Sequence, residues 1–266
     1  ARVAQVRSRL HALQGNPERS AQIVRGLIPP ADAANRLDVL LQLAAFLEEI
    51  ELFAEAQKYF EAYTRKRPAQ QLLLARYLAR RGELDAALHI CEKSATGDTL
   101  GAAVSTAANA LAANQAKLTP DAPQFDRVDA WLQQGLRDSP DSVPLELSRA
   151  SLVEMRGDHE LATSLYRELL RRKDVSPFQQ AILNNNLAMI LALQGRCDEA
   201  EQLFAYALRE VGPVPELLDT RAVIAICRGD QASLSDAVED LRNCLILLDT
   251  PTIQFHLAWA LWKQNA

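Results

Sequence analysis

Residues 184–213 read NNNLAMILALQGRCDEAEQLFAYALREVGP, and this stretch decides the fold. It contains two apolar stripes with helical spacing, separated by a short turn. Its anchors are small or aromatic residues at offsets of 7, 5, 4 and 3, namely Ala188, Gly195, Ala200, Phe204 and Ala207. Alanine lets two helix backbones approach closely, and glycine ends the first helix in a left-handed conformation without side-chain strain. The stretch therefore predicts an antiparallel pair of helices.

The same offsets recur along the chain. Strong copies lie at Ala44, Glu51, Ala56, Phe60 and Tyr63, at Ala75, Gly82, Ala87, Cys91 and Ser94, and at Ala150, Gly157, Ala162, Tyr166 and Leu169. Weaker copies begin at Ser8, Ala107 and Ala222, and Ala258 begins a unit that stops after its first helix. Helix pairs of this kind cannot bury their apolar stripes alone, so we expect them to stack on their neighbours.

These residues resemble the tetratricopeptide repeat (TPR) family, in a divergent, bacterial-type array with a period of about 34 residues. The resemblance implies an all-α fold, a right-handed α-solenoid of antiparallel helix pairs with about 15 helices, whose first helices line a concave face. We expect a single array over residues 1–266. Its parts are a degenerate repeat at 1–35, repeats at 37–67, 68–98, 99–140, 143–176, 181–213 and 215–250, and one helix of a cut repeat at 251–266.

Composition argues against several classes of protein. The chain has 29 basic and 34 acidic residues, a net charge of -5, so it lacks the cationic surface that nucleic-acid binding needs. No apolar stretch is long enough to span a membrane, so we expect no membrane insertion. Cys91, Cys197, Cys227 and Cys244 form no C-x-x-C motif and stand in apolar contexts. This predicts buried, reduced thiols and favours the cytoplasm.

Catalytic and metal-binding motifs are missing from the sequence. It contains no phosphate-binding, dinucleotide-binding, zinc-protease or nucleophile-elbow motif. The histidines His11, His89, His159 and His256 fall in different repeats, so we expect exposed side chains that bind no metal. We therefore predict no enzyme activity, no metal and no cofactor.

The C-terminal half offers the better candidate binding surface. Asn185 is expected to point into the concave groove with Asn186 beside it, where the two amides either bind a peptide backbone or tie neighbouring helices together. The predicted peptide- or partner-binding residues are Asn185, Asn186, Met189, Leu193, Asp219, Val223, Ile226, Phe255, Trp259, Trp262 and Lys263. Two alternatives stay open: the apolar members pack between repeats, or the aromatic ones form a surface that a following helix would cover.

We predict a protein-interaction scaffold, part of a larger protein, that binds a peptide or partner helix in this groove. The flanking first helices carry Leu147 and Ser151 on one side and Asp219 and Val223 on the other, so the cations that grip a C-terminal carboxylate in one TPR subfamily are missing. The alternatives are a structural or assembly module that self-associates through its exposed C-terminal helix, and a regulatory array attached to a catalytic domain outside this sequence.

Overall fold

Helix pairs make up the part of the chain that the computed structural model describes, residues 37–247 and 250–265 together with Arg19, Gln22 and Ile23. These residues form 13 α-helices and no strand, so the predicted all-α class is confirmed for them. The degenerate repeat predicted over 1–35 lies, apart from those three residues, outside the described part. The chain divides into two compact units, residues 1–114 and 115–266. One continuous array over both units stays a prediction.

The first unit contains α1 (Leu37–Glu49), α2 (Phe53–Lys66), α3 (Gln71–Arg80), α4 (Leu84–Ser94) and α5 (Leu100–Asn114). Each helix packs on the next, and α3 also packs on α5. The buried Tyr77 ring lies 4.7 Å from that of Phe60, and its hydroxyl donates to the Phe53 carbonyl at 2.6 Å. The amide of Asn114, at the turn position of its repeat, donates to the Ala79 carbonyl at 3.0 Å. These bonds fix one pair against the next.

The second unit contains eight helices. They are α6 (Pro123–Asp138), α7 (Val143–Met155), α8 (His159–Leu170), α9 (Pro177–Leu193), α10 (Cys197–Val211), α11 (Pro215–Arg228), α12 (Gln231–Leu247) and α13 (Pro251–Asn265). Consecutive helices pack on each other, and the first helices α9, α11 and α13 also pack side by side. This second kind of contact gives the unit a continuous layer of first helices.

A residue in the left-handed conformation closes the turn inside most pairs. Gly82, Gly157, Gly195 and Gly229 adopt φ angles of 79°, 86°, 79° and 75°. Between α1 and α2 the same place is taken by Glu51, with a φ of 61°. A side chain in this conformation costs about 1 kcal/mol, which glycine avoids because it has no Cβ. The structure thus confirms the alignment of Glu51 with the turn glycines.

The small anchors of the repeat are buried between the paired helices. Ala44, Ala56, Ala75, Ala87, Ala107, Ala150, Ala162, Ala188, Ala200 and Ala222 all have no exposed surface. Ala258 is exposed, although it was aligned with them. The neighbour expected for it is the second helix of its own pair, which is not among the described helices. The repeat pattern therefore correctly marks the contacts within complete pairs.

The prediction of four buried, reduced cysteines is wrong for two of them. Cys91 and Cys244 are buried and are not disulfide-bonded. Cys197 and Cys227, both half-buried, form a disulfide between the start of α10 and the end of α11, with 5.9 Å between their Cα atoms. Stacking of the helix pairs brings these positions together, which their separation in the sequence does not reveal. Because this pair is oxidised, it does not support the expectation of a cytoplasmic protein, which was based on reduced thiols.

Candidate functional site

Proline and capping residues fix the starts of the first helices in the second unit. Pro177, Pro215 and Pro251 begin α9, α11 and α13, where a preset φ favours the helix and no backbone N–H is lost from its hydrogen bonds. Ser176 and Gln179 form a capping box, in which each side chain accepts from the backbone N–H of the other residue. These starts place corresponding turns of the three helices side by side.

A pocket of about 220 Å³ opens on this layer, and we call it the first-helix pocket. It lies between the last turn of α7, the middle of α9 and the first turns of α11 and α13. Its lining combines amides, carboxylates, hydroxyls and two apolar side chains: Glu154, Asn185, Asn186, Met189, Glu216, Asp219, Thr220, Thr250, Thr252 and Ile253. Four of the predicted binding residues are among them, namely Asn185, Asn186, Met189 and Asp219.

The two predicted asparagines differ in their hydrogen bonding. Asn186 donates from its amide nitrogen to the Tyr166 hydroxyl at 3.3 Å, so it ties α9 to α8. The side-chain oxygen of Asn185 is buried and accepts no hydrogen bond from the part of the chain that the structure describes. The sequence left two roles open for these asparagines, binding a peptide or joining neighbouring helices, and Asn186 joins neighbouring helices. Asn185 lines the pocket, and its buried side-chain oxygen is an unsatisfied acceptor.

A buried hydrogen-bond network holds one carboxylate at the α7 side of the pocket. The hydroxyl of Tyr166, a fully buried side chain, donates to Glu154 at 2.5 Å and lies 3.3 Å from the Ser151 hydroxyl. Burial raises the pKa of Glu154 from 4.5 to about 6, and the hydrogen bond from Tyr166 opposes part of that rise. Burial next to this carboxylate also raises the pKa of Tyr166. The site thus holds a desolvated carboxylate whose bonded neighbour is a neutral hydroxyl.

A second carboxylate of the pocket is paired with a histidine. Asp219 on α11 lies 2.7 Å from His256 Nδ1 on α13, and both side chains are buried. The expectation that His256 is exposed is therefore wrong: it packs between first helices and bonds across them. His89 and His159 are exposed as expected, and His11 lies outside the described residues. The Asp219–His256 pair fixes α13 against α11.

The remaining predicted residues have different surroundings. Val223 and Ile226 have no exposed surface, so the prediction that they line a groove is wrong. Val223 packs in the core that α9 and α11 share, and Ile226 packs towards α12 and α13, as the alternative of packing between repeats described. Three residues are exposed (Leu193 48%, Phe255 63% and Trp262 65%), while Trp259 and Lys263 are partly buried.

A larger cavity of about 470 Å³ lies between α10, α11 and α12. Both arginines of its lining are paired with carboxylates of the same lining. Arg221 donates twice to Asp240, at 2.7 Å for both bonds, and Arg228 forms an ion pair with Glu201. The first-helix pocket differs because none of the described residues that line it is basic. Size favours the larger cavity, but uncompensated polar groups favour the first-helix pocket as a binding site.

Sequence reasoning missed several residues of the pocket, above all Glu154, Glu216 and Thr252. Glu154 follows Ser151 by three positions, so it lies on the same helix face as a residue that was assigned to the groove. This spacing could have found it. Thr252 enters the pocket only because α13 packs on α11, which no local pattern encodes. Within the described ranges, no group of three or more potential metal ligands occurs, and no helix is long and apolar enough to cross a membrane.

Solved structures resemble this chain over most of its length. A tetratricopeptide repeat protein from Parabacteroides merdae matches with a TM-score of 0.62 and 16% identity, over 98% of both chains. TTC0263, a thermophilic TPR protein of Thermus thermophilus, matches with a TM-score of 0.55 and 20% identity, over 73% of this chain and 99% of its own. The human IFIT1 dimer with m7Gppp-AAAA matches with a TM-score of 0.56 and 15% identity, over 97% of this chain and 63% of its own.

These likenesses confirm the fold: the chain is a TPR-type array of helix pairs. No family model and no curated protein sequence matches it. The three structures share too little sequence with this chain to transfer a ligand or a partner.

Proposed function

We propose that the chain is a protein-interaction scaffold that binds an extended peptide or a partner helix on the first helices of residues 115–266. The observation that carries the proposal is the first-helix pocket, where polar groups of α7, α9, α11 and α13 lie beside Met189 and Ile253. The buried side-chain oxygen of Asn185, one of the lining residues, accepts no hydrogen bond from the described residues. A few fixed polar groups next to apolar side chains are typical of surfaces that orient a peptide. The absence of enzyme activity stays a prediction.

A protein ligand fits this surface better than a nucleic acid does. IFIT1 is described with m7Gppp-AAAA, so the fold by itself does not decide between these ligands. The first-helix pocket is lined by three carboxylates, Glu154, Glu216 and Asp219, which would repel phosphate groups. The chain also carries a net charge of -5.

Selection of random phage-displayed peptides on the purified protein tests the proposal. A recovered peptide is titrated by fluorescence anisotropy against the wild type and against the Met189→Glu and Asn185→Ala variants. Each variant should weaken binding about tenfold or more. Met189→Glu puts a charge on the binding surface, and Asn185→Ala removes the unsatisfied acceptor. Leu161→Glu, which changes an exposed leucine on α8, is the matched control and should bind like the wild type. If no peptide is recovered, or if both variants bind as tightly as the wild type, the proposal is wrong.

Self-association through α13 is a second candidate function. Phe255, Trp259 and Trp262 follow one another at helical spacing, and Phe255 and Trp262 are each more than half exposed. Sedimentation velocity at increasing concentration should then show a dimer that Trp262→Glu abolishes. Phe178→Glu, which changes an equally exposed aromatic on α9, should leave the dimer intact. A monomer at all concentrations would exclude this function.

A further inference from the structure

We propose that the first-helix pocket binds the cationic end of an arginine or lysine side chain supplied by the peptide partner. This inference rests on the proposed function and adds the chemistry of the ligand at that site. It joins three independent features of the pocket: its charge, its unsatisfied acceptor and its apolar wall.

The charge of the pocket is acidic and largely uncompensated. Glu154, Glu216 and Asp219 line it, and the other lining residues among those described include no arginine or lysine. Asp219 is bonded to His256, but the hydrogen bond to Glu154 comes from the neutral Tyr166 hydroxyl. A carboxylate removed from water gains more from a nearby cation than an exposed carboxylate does. The pocket therefore favours a positively charged group.

The hydrogen-bonding groups of the pocket call for a donor. Asn185 lines the pocket, and its buried side-chain oxygen has no partner among the described residues, which is unfavourable unless a donor reaches it. Asn186 already donates a hydrogen bond from its amide nitrogen to Tyr166, and its side-chain carbonyl oxygen is a further acceptor. Guanidinium carries five N–H donors in a plane and ammonium carries three, and neither group has an acceptor. Both match a lining whose free polar atoms are mostly acceptors.

Apolar side chains suit the rest of such a ligand. Met189 and Ile253 line the same pocket as the carboxylates. Arginine and lysine carry long aliphatic stems that pack on apolar surface while the charged end reaches polar groups. The larger cavity between α10, α11 and α12 differs because two arginines line it, Arg221 paired with Asp240 and Arg228 paired with Glu201. The first-helix pocket is thus the better site for a basic side chain.

Titration with methylguanidinium chloride tests the pocket without any peptide. The side-chain amide signals of Asn185 and Asn186 are followed by NMR, with sodium chloride at equal ionic strength as the reference. Saturable shifts at roughly millimolar concentrations are expected, in keeping with a small ligand held by a few hydrogen bonds. The Glu154→Gln/Glu216→Gln variant should weaken this binding about tenfold, whereas Glu239→Gln, an exposed carboxylate of the larger cavity, should not change it.

The selected peptides provide the second test. Replacing their arginine by citrulline, or their lysine by norleucine, should weaken binding to the wild type about tenfold and have little effect on binding to Glu154→Gln/Glu216→Gln. Peptides that need Met189 but tolerate both changes would leave the scaffold function standing and overturn the cation pocket. Methylguanidinium shifts that are absent, or equally strong in the double variant, would overturn it as well. Saturable shifts without any recovered peptide would support the pocket and count against the scaffold.

Discussion

Replacing Glu154 by glutamine should stabilise the protein at neutral pH. Burial raises the pKa of this carboxyl from 4.5 to about 6, so its ionised form destabilises the fold. That difference in pKa corresponds to about 2 kcal/mol at pH 7. Glutamine is nearly isosteric and still offers an oxygen to the Tyr166 hydroxyl, which lies 2.5 Å from the carboxylate. The variant should therefore recover most of this free energy.

The gain should depend on pH in a defined direction. Because the folded-state pKa lies above that of the unfolded chain, the penalty is complete above about pH 6 and vanishes as the pH falls below 4.5. The stability difference between Glu154→Gln and the wild type should fall from about 2 kcal/mol at pH 7 to less than about 1 kcal/mol at pH 5. Urea unfolding followed by circular dichroism at both pH values measures it.

A solvent-exposed carboxylate of the same protein provides the control for this experiment. Glu239→Gln changes an exposed side chain on α12 and should alter stability by no more than about 0.5 kcal/mol at either pH. A Glu154→Gln variant that is less stable than the wild type at pH 7 would refute the reasoning. So would a difference that is the same at pH 7 and pH 5, because the gain would then have no link to ionisation.

Three further perturbations test other parts of the fold. Glu51→Gly should stabilise the first unit by about 0.5–1 kcal/mol in urea unfolding because it relieves a positive φ, whereas Glu83→Gly, where φ is -86°, should give no gain. His256→Ala leaves a buried carboxylate without its partner and should speed amide hydrogen exchange in α13, at a loss of about 1–3 kcal/mol; unchanged exchange would contradict the pairing. Replacing Cys197 and Cys227 by serine opens a link between residues 30 positions apart and should cost about 2–4 kcal/mol, and mass spectrometry of the unreduced protein should show the bond.

Local periodicity was enough to predict the helix pairs. Ala188 and Ala200 are buried because two helices must approach closely at these positions, and Gly195 follows from the turn between them. The same logic holds at Glu51, which accepts an unfavourable conformation because the repeat requires a turn there. These features depend on contacts within one pair, and such contacts leave a regular spacing in the sequence.

The candidate site was only partly predictable because it depends on contacts between pairs. Asn185 and Met189, which the spacing assigned to one helix face, both line the first-helix pocket, and their role in binding stays a prediction. Val223 lies on a comparable face, but neighbouring helices cover it completely. The Asp219–His256 bond likewise joins residues 37 positions apart, on different pairs. Packing between pairs leaves no regular spacing in the sequence. Some residues without a recognisable pattern therefore lie in the site, and some residues that were predicted for the site lie in the core.

The methionine methyl groups provide the most direct test of the proposed interaction surface. The chain has two methionines, Met155 and Met189, and both lie on first helices of the second unit. With both methyl groups labelled with carbon-13, a selected peptide is titrated while the two NMR signals are followed. The Met189 signal should shift and saturate with the dissociation constant found by anisotropy. A peptide that binds while the Met189 signal stays unchanged would contradict the assignment of this surface.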